Sequence, residues 1–135
     1  MYQQMIFVNL AVDDLDASKR FFTELGYSIN AQFSDENTAS VVISDTIVAM
    51  LHTRQRYAEF TKKEIADSAK TSEVLLALSS ESREKVDELV EKAVAAGGSV
   101  SGETQDQGFM YGRAFDDPDG HTWEIVWMDP SVVEG

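Results

Sequence analysis

Apolar residues recur at two different spacings along this chain, and the changes from one spacing to the other divide it into elements. Ile6, Val8, Leu10 and Val12 alternate with Phe7, Asn9 and Ala11, which predicts a strand over Ile6–Val12 with one strongly apolar face. Asp13 and Asp14 then offer an N-cap, Leu15, Ser18, Phe22 and Leu25 fall at helical spacing, and Gly26 supplies a stop. Residues 27–33, 39–43 and 47–52 read as three further strands, separated by the polar stretch 34–37 and a turn at 44–45. The first half is therefore strand, helix, three strands.

The second half repeats that order. Residues 73–78 read as a strand with Val74, Leu76 and Leu78 as its apolar set. Ser80 or Ser82 can cap a helix whose first turn holds Glu81 and Glu84, where carboxylates suit the dipole. Val86, Leu89, Val90 and Ala93 form its buried stripe, and Gly97-Gly98 ends it. Strands follow at 98–101, 110–115 and 122–128, the last two joined by the turn Asp117-Pro118-Asp119-Gly120. Two copies of one βαβββ unit result, module one at 1–52 and module two at 72–128, with a linker at 53–71 and a tail at 129–135. Residues 7–12 align with 73–78, and 45–51 with 119–125.

Composition narrows the picture. With 135 residues, 43% of them hydrophobic, the chain can bury a core of its own. Its 24 acidic residues against 11 basic ones give a net charge of −13, which disfavours nucleic acid and an anionic membrane surface as partners. The absence of Cys removes disulfides, thiolate metal sites and thiol nucleophiles. The start has no basic segment followed by an apolar one, and no apolar run approaches membrane-spanning length, so a cytoplasmic protein is expected. Five of the eleven basic residues, Arg54, Arg56, Lys62, Lys63 and Lys70, lie in the linker, which reads as a solvated connection with a short helix or as a flap or dimer contact.

Alternation also separates two faces. Val8, Leu10 and Val12, Ile47, Ala49 and Leu51, Val74, Leu76 and Leu78, and Trp123, Ile125 and Trp127 form the face that helices cover. Opposite them stand Phe7, Asn9 and Ala11, Val48, Met50 and His52, Glu73, Leu75 and Ala77, and Glu124, Val126 and Met128, a mixture suited to the wall of a ligand cavity. On the strand before the last, Met110, Gly112 and Ala114 fall on that side, and Tyr111 and Arg113 fall opposite unless a bulge inverts the phase. His121 follows the Pro-Asp-Gly turn, and no pair of histidines stands at metal-ligand spacing.

The run from Val12 through Asp13, Asp14, Leu15, Ser18, Phe21 and Phe22 to Leu25-Gly26-Tyr27, and the later run from Phe115 through Asp117-Pro118-Asp119-Gly120-His121 to Glu124, carry a resemblance. They are similar to the signatures of the vicinal oxygen chelate superfamily, which includes glyoxalase I, fosfomycin-resistance enzymes, extradiol dioxygenases and bleomycin-binding proteins. The resemblance implies an α+β fold of two βαβββ modules forming a curled mixed sheet with an open cavity and helices on the outer face. It also implies a homodimer, and in metal-dependent members a divalent ion held by His, Gln or Glu from the first and last strand of each unit.

Carried onto this chain, those four ligand positions are Phe7, Met50, Glu73 and Glu124, of which only the two carboxylates suit a hard or borderline ion. His52, about 6.6 Å beyond Met50 on the same strand face, can complete a displaced set with Glu73, Glu124 and Asn9. Without a metal, Glu73 and Glu124 form a candidate acid and base pair. The resulting expectation is a protein without the usual metal that binds a small organic ligand, with Phe7, Asn9, Met50, His52 and Met110 in the wall and Glu73 and Glu124 as its chemistry. The alternative is a lyase, isomerase or transferase of the glyoxalase I or fosfomycin-resistance type that uses Glu73, Glu124 and His52 with Ni, Zn, Mn or Fe. An extradiol dioxygenase needs two His and one carboxylate, which this chain does not place together.

Overall fold

The computed structural model describes residues 1–134, with side chains through Val132. It divides into two compact units, Met1–Asp67 and Ser68–Gly135, each built around a mixed sheet that does not close. Among the described residues there are nine strands and four helices, an α+β fold of repeated βαβββ order.

In the first unit the strands are β1 (Ile6–Val12), β2 (Ser28–Ile29), β3 (Thr38–Val42) and β4 (Ile47–Thr53), ordered β1-β4-β3-β2. β1 and β4 run parallel, pairing Val8 with Ala49 and Leu10 with Leu51, and the other pairs are antiparallel. Helix α1 (Leu15–Glu24) begins where the Asp14 carboxylate accepts the Ala17 N–H at 3.0 Å, and it buries Leu15, Phe21 and Phe22. With Leu25 these pack against β3 and β4, where Val41, Ala49 and Leu51 are buried; Ala49 and Leu51, with the buried Leu10 and Val12 of β1, belong to the alternate apolar set that the sequence predicts. The phenyl rings of Phe21 and Phe22 meet edge to face at 5.0 Å.

One expected strand is largely replaced. Of residues 27–33 only β2 pairs, because the Asn30 carboxamide accepts the Gln32 N–H and turns the chain into a short 3-10 helix, Ala31–Phe33. The linker opens with a short helix α2 (Arg54–Tyr57), which Thr53 caps.

In the second unit β5 (Leu76–Ser79), β6 (Ser99–Val100), β7 (Gln105–Asp106), β8 (Met110–Asp116) and β9 (Thr122–Met128) form a sheet ordered β5-β9-β8-β6, with β7 also on β8. β5 and β9 are parallel, and β8 and β9 antiparallel. Ser82 caps helix α3 (Arg83–Ala95), whose Val86, Val90 and Ala93 are buried against the side of the sheet that carries Phe115, Trp123 and Ile125. At the edge of this core Arg83 lies over the rings of Tyr111 and Trp127, at 5.0 and 5.3 Å, and bonds both oxygens of Asp106. The strand expected at 73–78 begins only at Leu76, and the tail holds a fourth helix, α4 (Pro130–Glu134), that the pattern did not announce.

The turn between β8 and β9 is held by a buried acid. Asp117, 5% exposed, accepts from the backbone N–H of Asp119 and of His121 and from the indole N–H of Trp123. Gly120 sits in this turn at a φ of 89°, and a Cβ there would meet the backbone oxygen of Ser68 at 2.7 Å. Gly120→Ala combines a left-handed backbone with that overlap, so it lowers the unfolding free energy by about 2 kcal/mol or more. Urea titration followed by tryptophan fluorescence measures this, and a loss below about 0.5 kcal/mol contradicts the packing described.

Candidate functional site

Each sheet has one side covered by its helix; the opposite side, called the open side below, is not covered by a helix, although in the first unit most of its residues are buried. On the open side of the first sheet lie Phe7, Asn9 and Ala11 of β1, Val48, Met50 and His52 of β4, and Thr38 and Ser40 of β3, brought level by the register of the strands. Phe7 is 54% exposed and Asn9 is also exposed, whereas His52 is only 3% exposed.

His52 is fully engaged. Its Nε2 lies 2.8 Å from the Asn9 Oδ1, an oxygen that only accepts, so Nε2 carries the proton. In the neutral ring Nδ1 then accepts from the Thr38 hydroxyl at 2.9 Å. Tyr57 and Phe60 from the linker cover the ring, with centroids 6.4 and 5.0 Å away. Burial holds the His52 pKa below its ordinary value of 6.5; Arg56 adds to that shift, while Asp35 opposes it. With both nitrogens bonded, His52 offers no free lone pair to a metal, and it acts instead to fix Asn9 in place.

The open side of the second sheet is built differently. Glu124 stands on β9 between Ala77 of β5 on one side and Ala114 of β8 on the other. Gly112 lies opposite Val126 on the same side, so small residues surround the carboxylate and leave space. The resulting cavity measures about 450 Å³. Leu75, Met110 and Val126 supply its apolar wall, and Ser101, Gln105 and Thr122 bring polar atoms to it. Glu124 is partly buried, and among the described residues no hydrogen bond or ion pair engages its carboxylate.

Glu73 is not placed as expected. It lies in an exposed bend three residues before β5, outside the residues that line the cavity. The strand registers show why. Val8 pairs with Ala49 and Leu76 pairs with Trp123, so the position matching Phe7 is Leu75, and the repeat aligned by sequence is two residues out of step. The four positions that the resemblance assigns to metal ligands are thus Phe7, Met50, Leu75 and Glu124, and only one of them carries a donor for a hard or borderline ion. One carboxylate does not make a divalent-ion site, so the donor set does not fit the metal.

A second group of donors, Asp117, Asp119 and His121, brings ligand atoms within 4.8 Å of one another. Here the Asp117 carboxylate, besides its bonds to the turn, lies 3.0 Å from His121 Nδ1, so its lone pairs are committed to shaping the chain. Arg113 borders the cavity, but its guanidinium and the Tyr111 hydroxyl both bond Asp87 of α3 on the helix side of the sheet, at 3.0 and 2.7 Å. Of the expected site residues, Met110 and Glu124 thus meet in the second unit and Phe7, Asn9, Met50 and His52 share a face in the first. Leu75 lines the cavity, on the face where alternation places it, whereas Ser101 and Gln105 were missed as lining residues. The β7 pair Gln105-Asp106 shows no apolar alternation from which its place could be read.

Comparison with known proteins agrees with this architecture. The sequence profile of the Glyoxalase/Bleomycin resistance protein/Dioxygenase superfamily matches residues 4–125. Among solved structures, a hypothetical protein from S. aureus is 30% identical, with 94% of each chain covered and a TM-score of 0.78. A glyoxalase-related enzyme from Fulvimarina pelagi is 26% identical over 93% of this chain and 88% of its own, also at 0.78. A fosfomycin resistance protein from Mesorhizobium loti shares the fold at 14% identity, over the full length of both chains, with a TM-score of 0.71. Comparison with curated proteins gives no match. No helix among the described residues is long and apolar enough to cross a membrane.

The lowered pKa of His52 has a consequence for stability. An unfolded imidazole gains its proton near 6.5 and the folded one only at lower pH, so the stability present above pH 6.5 declines as pH falls through the folded value. The slope from this residue reaches at most about 1.4 kcal/mol per pH unit. In His52→Gln that contribution is gone, so its stability difference from the wild type narrows between about pH 7.5 and about pH 5.5 in urea titrations. An equal difference at both pH values contradicts a buried neutral His52.

Proposed function

This chain belongs to the Glyoxalase/Bleomycin resistance protein/Dioxygenase superfamily, and on that footing we propose that it binds a small organic molecule in the cavity of its second unit, without a divalent ion. The observation that carries this reading is Glu124, a carboxylate that no protein partner engages among the described residues, flanked by Ala77 and Ala114 in a cavity whose lining is mostly apolar or neutral apart from Glu103 and Arg113. A volume of about 450 Å³ lies within the range of small-molecule sites. Leu75, Met110 and Val126 would bury the apolar body of the ligand, Ser101, Gln105 and Thr122 would orient its polar groups, and Glu124 would bond its most polar end.

Loss of three of the four metal donors argues against the glyoxalase I or fosfomycin-resistance type of metal chemistry. A homodimer in the cytoplasm is part of the proposal, and the exposed Ile6 and Phe7 on the edge strand β1, with Met5 just before it, support self-association.

Thermal unfolding with a panel of small organic compounds, and separately with Mn²⁺, Ni²⁺, Zn²⁺ or anaerobic Fe²⁺, tests the reading. A compound at one hundred times its Kd stabilises the wild type by about 2.7 kcal/mol. Ala114→Phe, which fills the space beside Glu124, abolishes that stabilisation. A saturable metal-induced shift that Glu124→Gln removes would overturn the metal-free reading.

A further inference from the structure

We infer that the ligand of this cavity is an organic cation, an amine with an apolar body, whose ammonium group bonds the Glu124 carboxylate; this deepens the proposed small-molecule function and rests on it. The charged side chains that line the cavity and have no ion-pair partner among the described residues are acidic. Glu124 lines it and Glu103 lies among its lining residues. No Lys lines it, and the one Arg that does, Arg113, sends its guanidinium to Asp87 on the helix side of the sheet, at 3.0 Å.

Burying part of a carboxylate strips it of water, and the usual compensation is a nearby Lys, Arg or N–H donor. Glu124 has none among the described residues, since its neighbours across the sheet on both sides are alanines. Their methyl groups add no donor, and they also leave the room that a ligand needs. The divalent ion of the metal-dependent relatives draws on donors at four strand positions, and of those positions only Glu124 carries one here. A primary ammonium needs one carboxylate and two neutral acceptors. The oxygens of Ser101, Gln105 and Thr122 are acceptors of that kind: the Thr122 hydroxyl donates its proton to Asp116 at 2.6 Å and keeps its lone pairs.

Leu75, Met110 and Val126 then face the carbon skeleton. The polarizable Met110 thioether suits an aromatic ring. A net charge of −13 draws cations toward the protein and repels carboxylates and phosphonates.

Three probes of similar shape separate charge from fit: benzylammonium, benzyl alcohol and benzoate, each titrated at neutral pH into the full chain and followed by amide shifts of Ala77, Ala114 and Glu124. Benzylammonium is expected to bind at least tenfold more tightly than benzyl alcohol and to weaken as salt rises, while benzoate leaves these amides unmoved. Glu124→Gln, which keeps the shape, weakens benzylammonium tenfold or more and leaves benzyl alcohol unchanged; Glu91→Gln on the surface of α3 changes neither. Benzyl alcohol or benzoate binding as tightly as benzylammonium overturns the inference, as does a Glu124→Gln variant that binds benzylammonium like the wild type. In either of those cases the small-molecule function survives if Ala114→Phe still removes binding. Failure of benzylammonium to move these amides also overturns the inference, and failure of every compound to bind in the cavity overturns both.

Discussion

In each unit the first strand pairs in parallel with the last, β1 with β4 and β5 with β9, and that pairing decides which side chains share a face. Side chains alternate along a strand, so a fixed register assigns every residue either to the helix side or to the open side. On the helix side it aligns Leu10 with Leu51 and Leu78 with Ile125, giving α1 and α3 continuous apolar surfaces to cover. On the open side it sets Glu124 beside Ala77, and the antiparallel β8 sets Ala114 on its other flank. The cavity is a consequence of that placement: a carboxylate with methyl groups for neighbours leaves both room and an unmet charge.

The two units use the same framework to opposite ends. In the first, a polar residue at the heart of the open side is neutral, buried and satisfied, with His52 bonded to Thr38 and Asn9 under the rings of Tyr57 and Phe60. Nothing in that network calls for a ligand to complete it, although Asn9 is exposed and keeps its amide N–H groups to offer. In the second unit the corresponding side has a charged residue with no partner and a cavity beside it. A satisfied network rigidifies, whereas an unsatisfied charge is a place for binding.

Much of this was legible before the structure. The alternation of β1, β4, β8 and β9, the Asp14 cap and the stripe of α3 are all written in residue spacing, because each element buries one face and exposes the other. The same parity put Met110, Gly112, Ala114 and Glu124 on one side. The start of β5 was not legible. Val74, Leu75 and Leu76 are apolar in succession, so alternation fixes the faces but not the first residue, and the strand start slipped back to Glu73. Only the pairing of Leu76 with Trp123 fixes the step, and with it the replacement of Glu73 by Leu75 among the matched positions. β2 and β6 fall within the strands expected at 27–33 and 98–101 but hold only two residues each, while β7, also two residues, shows no period and takes its place from its pairing with β8.

The superfamily profile covers nearly the whole chain, yet a shared fold does not carry a shared reaction. The distinction here lies in side chains that a metal would need and that this chain does not supply: Phe7, Met50 and Leu75 stand where donors would be. Glu124 is therefore the point on which the account turns. Anomalous diffraction from crystals soaked in manganese or nickel examines it directly. No ion is expected on the Glu124 carboxylate; a well-ordered anomalous peak within bonding distance of it, with further protein donors around it, would contradict a metal-free cavity.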